Sequence, residues 1–316
     1  MDSRHEEVAA SSSRVGNGAE TYQPSAGPQW AEQSLEAGTT LGDRFRLEVK
    51  LGHLADTELW RAFDLKLHRP VVITAMDARS PRTPEILTAA MQAAVATDSR
   101  FVRVLDAVSA RQPETTSFVV SEYAPGRTLC ELLATGPLSA LEAAWVVREI
   151  ADAMTPMHAQ GIFHERLSPE TIIITATGNV KIVGLLMEAV LNPHETEQAT
   201  SWSEREATDI VDMGKILYAC LVSRWPLGTP SAPASLAALP SGNTRHAQKT
   251  WGLAAAPADG HGWLTPRQVQ PGVSPALDVL CDQILSQQPR HDEVPVRSAS
   301  EIYPVSYTHL RAHETV

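Results

Sequence analysis

A short loop that contains an imidazole, two carboxylates and a guanidinium is the stretch of this chain best equipped for chemistry. It begins at His164 and includes Glu165, Arg166 and Glu170. Side chains of these types carry proton transfer and phosphate contacts in enzymes. A helical pattern leads into the loop, and two short apolar strands with a turn at residues 176–179 lead out of it. The loop is therefore held between a helix and a pair of strands.

This order of helix, loop, strand, turn and strand resembles the catalytic loop of protein kinases, which has the pattern H-R-D-L-x-x-x-N. His164 and Leu167 match that pattern. The departures are Glu165 for the Arg, Arg166 for the catalytic Asp and Thr171 for the metal-binding Asn. The resemblance is close in framework and poor in chemistry.

Three further kinase motifs are altered in the same way. The strand that resembles V-A-I-K ends in Thr74, where the family has the lysine that binds the nucleotide phosphates. The glutamate that pairs with this lysine falls near Ala89 or Ala90, and Gly184 stands where the family has the metal-binding Asp of D-F-G. Of the glycine-rich loop only Gly52 is left.

The framework residues, in contrast, are kept. A helical segment resembles the central helix of the kinase large lobe, which carries an Asp at its start and a Gly five residues later, as Asp209 and Gly214 do. In the family this Asp hydrogen-bonds the backbone around the catalytic-loop His. The resemblance therefore implies that His164, Asp209 and Gly214 support the fold, and that His164 is not an acid or base.

The predicted fold is α+β: a bilobal protein kinase-like fold with a five-stranded N-terminal lobe containing one helix, and a mainly helical C-terminal lobe. Helices are expected at about residues 84–97, 139–160 and 275–286, and a last kinase helix that starts near Arg297 is expected to be truncated at Pro304. The predicted segments are a disordered tail at 1–38, the N-terminal lobe at 39–123, the C-terminal lobe at 124–304 with a flexible insertion at 226–271, and a non-native tail at 305–316.

Composition excludes several classes of function. The net charge of −11, from 26 basic and 37 acidic residues, argues against a general nucleic-acid binder and against a polybasic membrane-surface module. No stretch approaches the ~18 apolar residues of a membrane helix, and the N-terminus lacks signal-peptide features. Three widely spaced cysteines fit a reducing cytoplasmic compartment.

Five functional residues of the family are missing: the lysine (Thr74), its glutamate partner (Ala89 or Ala90), the catalytic Asp (Arg166) and the two metal ligands (Thr171 and Gly184). These losses predict a protein that is not an enzyme: a pseudokinase without cofactor, metal or nucleotide site, acting as a cytoplasmic regulatory scaffold. Phosphoryl transfer depends on the positioning and charge neutralisation that these residues supply in the family. The alternative is a nucleotide-binding serine/threonine protein kinase-like enzyme with atypical catalytic residues. Glu165 and Lys181 are the charged side chains near enough in sequence for such a role, although both also fit ordinary surface charges.

Short motifs narrow the resemblance to the actinobacterial pseudokinases associated with the lipid II flippase of peptidoglycan synthesis. The motifs are Phe63-Asp64, Arg224-Trp225-Pro226, Pro266-Arg267-Gln268-Val269 and Gly272-Val273. The resemblance implies a partner that reads phosphothreonine, such as a forkhead-associated domain, or a regulatory kinase. It also implies tethering to the inner membrane face by a segment outside this chain. Thr196 and Thr200 are the candidate phosphosites, in a loop that equally fits a solvated polar segment.

Overall fold

The structure is a computed structural model that describes residues 35–54, 56–77, 79–110, 116–193, 201–227, 252–259, 262–286, 289–290 and 294–302. Every element below belongs to the unit that begins at Glu36. The predicted disordered tail up to residue 34, the candidate phosphosites Thr196 and Thr200, and the predicted tail at 305–316 lie outside the described residues. The part of the chain that the structure describes contains no helix long and apolar enough to cross a membrane.

The N-terminal lobe is one antiparallel sheet with a helix against it. The sheet has the strand order β1-β2-β3-β4-β6-β5. Its strands are β1 Thr40–Leu41, β2 Phe45–Leu54, β3 Thr57–Asp64, β4 Arg69–Asp77, β5 Val104–Val108 and β6 Thr116–Glu122. The five predicted strands are present, and the additional β1 is a short strand that pairs with the start of β2.

Alternation along the strands gives the sheet two apolar faces. On one face Phe45 and Phe118 meet edge to face at 5.9 Å, and Trp60 is buried with them. The other face carries Met76 and Val119, which pack against helix α1 (Thr83–Ala93) through Ile86. Because cross-strand neighbours project to the same side of a sheet, this second face can be followed from strand to strand. We call it the cleft face.

The C-terminal lobe begins with a short strand and continues through the elements that surround the predicted catalytic loop. These are β7 Gly126–Thr128, α2 Leu129–Leu133, α3 Ala140–His158, β8 Ile172–Thr175, β9 Val180–Ile182, α4 Met187–Leu191 and α5 Trp202–Val222. Helices α2, α3 and α5 each start with a Ser or Thr whose side chain accepts from the backbone three residues later, where a Glu returns the bond. These capping boxes explain why the helices begin where they do.

Several predicted boundaries differ from the structure. The helix expected at 84–97 ends at Ala93, and the helix expected at 139–160 ends at His158. Asp209 does not start the central helix, because α5 begins seven residues earlier at its capping box on Ser201. The central helix is therefore anchored well before the residue that reaches the loop.

Of the predicted flexible insertion at 226–271, residues 228–251 lie outside the described residues. Its C-terminal part contains folded elements: β11 Ala254–Ala255, β12 Ala258–Asp259, β13 Gly262–Trp263 and α6 Pro266–Val269. Strand β11 pairs in parallel with β10 (Arg224–Trp225), and Leu253 beside it is buried in the core. Burial of such apolar residues stabilises segments whose composition alone suggested a linker. Helix α7 (Pro275–Leu285) follows and packs on α5.

Candidate functional site

The predicted catalytic loop is organised by the carboxylate of Asp209, which is fully buried in α5. One oxygen accepts hydrogen bonds from the backbone N–H of His164 at 2.9 Å and from His158 Nε2 at 2.9 Å. The other oxygen accepts from the backbone N–H of Glu165 at 2.6 Å. A buried carboxylate thus satisfies backbone donors that water cannot reach.

The His164 side chain also supports the backbone. Its Nε2–H donates to the carbonyl oxygen of Val183 at 2.8 Å, so the ring ties the catalytic loop to the segment just after β9. The ring is fully buried, so it does not reach a substrate in the cleft as an acid or base would have to. The structure therefore places His164 in the backbone framework of the loop.

Glu165 turns the chain and is paired by a neighbouring helix. Its φ of +62° lies in the left-handed region, which is uncommon for a residue with a side chain. Arg205 of α5 donates from Nε to the Glu165 carboxylate at 2.7 Å and lies over the ring of Phe163 at 4.8 Å. Glu165 is thus held against α5 rather than exposed as an ordinary surface charge.

Thr171 replaces the family's metal-binding Asn with a local turn. Its hydroxyl accepts from the backbone N–H of Ser168 at 2.9 Å and donates to the Ser168 carbonyl at 3.0 Å. Both residues are buried. The hydroxyl is therefore committed to the backbone, while Arg166, at the position of the catalytic Asp, is half-buried.

The position of the phosphate-binding lysine is apolar. Thr74 lies on the cleft face, 7% exposed, and pairs with Leu59 and Val119 across the sheet. Ala89 and Ala90 are buried in the same lobe, in a cluster that includes Val119. Where the family has an ion pair, this chain has small and apolar side chains that need no charge partner.

The segment after β9 contains an acid that the sequence analysis missed. Gly184 has φ +83°, and a Cβ built on it would lie 3.1 Å from Oε2 of Glu188. The backbone N–H of Glu188 donates to the Gly184 carbonyl at 2.7 Å, and Asn192 donates to the Glu188 carboxylate. The carboxylate of Glu188 therefore reaches the region in which the side chain of an Asp at 184 would lie. The sequence signal for this contact is the spacing of four residues between Gly184 and Glu188, which is about one helical turn.

The hairpin that replaces the glycine-rich loop is tight. Strands β2 and β3 stay paired up to Leu54 and Thr57, with Asp56 in the turn. Gly52 lies along β2 with no atom within 4 Å of a Cβ built on it. The turn therefore presents a carboxylate at the place where the family presents backbone N–H groups to phosphate.

The cleft face is open at the end away from α1. Leu59 is 38% exposed, and Val72 and Ser121, which pair with each other across β4 and β6, are half-buried. Where the chain leaves the sheet, Gly126 of β7 approaches β8 so closely that a Cβ there would lie 2.8 Å from Cγ2 of Ile173. The site thus combines an uncovered apolar surface with a closely packed connection to the C-terminal lobe.

The described residues do not fit the magnesium site of the family. The carboxylate of Glu188 lies beside Gly184, and the hydroxyl of Thr171 is hydrogen-bonded to the backbone of Ser168. Within the ranges that the structure describes, no group of three or more His, Cys, Asp or Glu side chains is arranged to hold a metal ion. Magnesium prefers several oxygen ligands in octahedral geometry, and this donor set is too small.

Comparison with solved structures defines the class of fold. The chain is similar to the crystal structure of the Mycobacterium tuberculosis PknI kinase domain, with a TM-score of 0.59 and 13% identity over 87% of this chain and 99% of that chain. A double mutant of that domain gives a TM-score of 0.62 at 12% identity, covering 88% and 100%. The chain therefore has the bilobal protein kinase-like fold, as the sequence predicted.

Sequence comparison adds named relatives. The chain is 29% identical over 220 residues to the serine/threonine-protein kinase PknB of Mycobacterium tuberculosis, covering 62% of this chain and 35% of the relative. It is 28% identical over 226 residues to the serine/threonine-protein kinase PknL of Mycobacterium bovis, covering 63% and 56%. The chain thus spans about a third to a half of the length of these curated relatives. No protein-family model matches the chain.

These relatives contradict the prediction that the chain is not an enzyme. The curated proteins are named serine/threonine-protein kinases and the solved structures are kinase domains, so the comparisons favour an enzyme. The prediction counted only side chains at the family's own positions. Glu188, whose carboxylate lies beside Gly184, is an acid that this counting left out.

Proposed function

We propose that this chain is a kinase-like enzyme module that binds a nucleotide between its lobes and uses atypical residues for the chemistry. The observation that carries the proposal is the open end of the cleft face, where Leu59 is 38% exposed while Thr74 on the facing strand is 7% exposed. Small-molecule sites are lined mainly by apolar side chains, with a few polar groups that orient the ligand. The flat apolar face of a nucleobase suits such a surface.

The phosphoryl transfer that the relatives' names imply needs a proton acceptor. An attacking hydroxyl oxygen forms a bond to the terminal phosphorus, the bond to the bridging oxygen breaks, the nucleoside diphosphate leaves, and the hydroxyl proton passes to a base. Arg166 cannot accept a proton. Glu165 is the adjacent carboxylate, and it would have to exchange its contact with Arg205 to act.

Nucleotide binding and label transfer test this function separately. We expect ATP to raise the melting temperature of the purified chain, and labelled phosphate to reach a protein substrate. Glu165→Gln should lower the transfer rate about 10²-fold or more and leave binding intact, because general-base loss affects the chemical step. Glu85→Gln, in the exposed first turn of α1, is the matched control. Absence of both binding and transfer would overturn the proposal.

A regulatory interaction role is the second candidate. It is favoured by one observation: the polar groups of the catalytic loop are engaged in structural contacts, such as Thr171 with Ser168 and Glu165 with Arg205. The resemblance to pseudokinases of the lipid II flippase suggests control of peptidoglycan synthesis through a partner that reads phosphothreonine, with the module at the inner membrane face.

Phosphorylation followed by capture tests the second candidate. The chain would be treated with a serine/threonine kinase and presented to a forkhead-associated domain. We expect retention that is lost in the Thr196→Ala, Thr200→Ala double variant and kept in a Thr177→Ala control. Equal retention of the double variant would count against these two phosphosites.

A further inference from the structure

Arg82 connects three segments that border the cleft. It precedes helix α1, and its Nη2 donates to the carbonyl oxygens of Val190 and, at 2.7 Å, Leu191, at the end of α4. Its Nη1 lies 3.4 Å from Oδ1 of Asp56 in the β2–β3 turn. One side chain therefore joins the hairpin of the sheet, the start of α1 and the segment that follows Gly184.

The contacts are of a kind that a guanidinium makes well. The last carbonyls of a helix have no partner within the helix, and Arg82 supplies donors to two of them. The planar fork of five N–H groups leaves further donors for an anion beside it. Ser80 reinforces the arrangement, because its hydroxyl donates to the other Asp56 oxygen and accepts from the backbone N–H of Arg82 at 3.3 Å.

The anion now on this guanidinium is a carboxylate at the tip of the hairpin. In the kinase-like fold that hairpin covers the nucleotide phosphates. The side chains of Arg82 and Asp56 are 27% and 18% exposed, so a small anion can reach them. Thr74 supplies no cation from the sheet. Arg82 thus contacts the tip of the hairpin that covers the nucleotide phosphates in the family, and it can supply the positive charge that Thr74 does not.

We propose that Arg82 is an anion-responsive clasp. In the structure it holds the hairpin to α4 through Asp56, and the terminal phosphates of a nucleoside triphosphate replace Asp56 on its guanidinium while the carbonyl contacts persist. This inference rests on the proposed nucleotide binding and adds the residue that distinguishes a triphosphate from a nucleoside. Nη1, which now contacts Asp56, is the donor that a phosphate oxygen would use, and a hydrogen bond between two charged groups is stronger than one between neutral groups.

The clasp makes opposite predictions for its two charged members. Without Arg82 a triphosphate loses its cation, whereas a nucleoside loses nothing. Without the charge of Asp56 the phosphates no longer compete with an internal anion. Binding of ATP should therefore weaken in Arg82→Gln and strengthen in Asp56→Asn, and binding of adenosine should change in neither.

Calorimetric titration with ATP and adenosine, in buffer with EDTA, tests the clasp. We expect Arg82→Gln to weaken ATP binding about ten- to hundredfold, since a bond to a charged group is lost, with adenosine binding unchanged. Asp56→Asn should tighten ATP binding several-fold. Arg79→Gln is the matched control, because Arg79 lies in the same loop and pairs with Asp77 instead.

The outcomes separate the clasp from the function on which it rests. If both ligands bind and the ratio of their affinities is the same in wild type and both variants, the clasp is overturned and nucleotide binding stands. If neither ligand binds the wild-type chain, the proposed function fails and the clasp fails with it. Should Arg82→Gln not fold, Asp56→Asn gives the decisive measurement, because that substitution is isosteric.

Discussion

The catalytic loop is built around a buried charge, whereas the cleft face of the sheet has no charge at the position where the kinase family places its lysine. In the loop, the fully buried carboxylate of Asp209 accepts from two backbone N–H groups and from His158. Thr74 on the cleft face and Ala89 and Ala90 on α1 are buried and uncharged, whereas the kinase family has an ion pair at these positions. Both regions are buried, so burial alone does not decide where charge is kept.

The difference lies in what each charge satisfies. Asp209 compensates backbone donors that remain whatever side chains surround them, so its loss would leave those donors without partners. A Lys and Glu pair compensates only itself, and both members can be replaced by apolar groups at little cost. Framework charges are therefore tied to the fold, whereas paired functional charges can be exchanged.

Asp209→Ala should give the largest effect and tests the framework half of this comparison. Two backbone N–H groups and a buried imidazole would lose their acceptor, and we expect the free energy of unfolding to fall by about 3 kcal/mol or more. Urea denaturation followed by circular dichroism measures it. Asp209→Asn keeps one acceptor oxygen and should cost less. Equal stability of Asp209→Ala and wild type would contradict a framework role.

Gly214→Ala probes the same framework through packing. A Cβ at this position would lie 2.4 Å from Cγ2 of Ile284, so α5 and α7 would have to separate. We expect a loss of about 1–3 kcal/mol in the free energy of unfolding. Gly52→Ala, with no atom within 4 Å of the added carbon, is the matched control. Adding Ile284→Ala should make Gly214→Ala less harmful, and independent effects of the two changes would argue against close packing as the cause.

The sequence predicts the framework well because backbone demands repeat from one protein of this fold to another. The order of strands and helices follows from periodicity and capping residues, and the framework roles of His164 and Asp209 are implied by the resemblance of their segments to the kinase family. The predictions are wrong where long-range packing determines the structure. The segment around Leu253 and the short strands near it has the composition of a linker, but Leu253 is buried in the core.

The contacts of single charged side chains could not be predicted. Arg82 and Leu191 are separated by 109 positions, and no local pattern indicates that one binds the carbonyl of the other. Glu188 was overlooked because the prediction considered position 184 alone. The prediction of a missing activity, which the named relatives contradict, likewise treated a site as a set of positions rather than a region of space.

Charged side chains introduced at Thr74 and Ala89 test the other half of the comparison, which is the absence of charge at these buried positions. Thr74→Lys would bury an ammonium beside apolar neighbours and should lower the free energy of unfolding by about 1–3 kcal/mol. Ala89→Glu alone should also destabilise, because it buries a lone carboxylate. The two together should cost about 1 kcal/mol less than the sum of the single changes, since the charges can then pair. Strict additivity in this double-mutant cycle would show that the two positions do not face each other.

Asp64, a buried acid in the N-terminal lobe, tests whether a buried charge is kept where fixed partners satisfy it. It has the smallest expected effect. Its side chain is 1% exposed and accepts from Arg44 at 2.7 and 2.9 Å. The hydrogen bonds from Arg44, assisted by the backbone N–H groups of Leu67 and Lys66, lower the pKa of Asp64 from its usual 3.8 to about 2.

A carboxyl whose pKa is lower in the folded than in the unfolded chain adds stability above the unfolded value, and this stability is lost as the pH falls toward the folded value. Between pH 4 and pH 2 unfolding should therefore take up more protons in wild type than in Asp64→Asn, with a largest difference of about 0.8 proton near pH 3. Free energies of unfolding in urea across that window measure the difference as a shallower slope for the variant. Asp43→Asn, one residue from Arg44 and exposed, is the matched control. Parallel slopes for wild type and Asp64→Asn would mean that Asp64 behaves like an ordinary surface acid. In that case the N-terminal lobe would not follow the principle that buried charges are kept where fixed partners satisfy them.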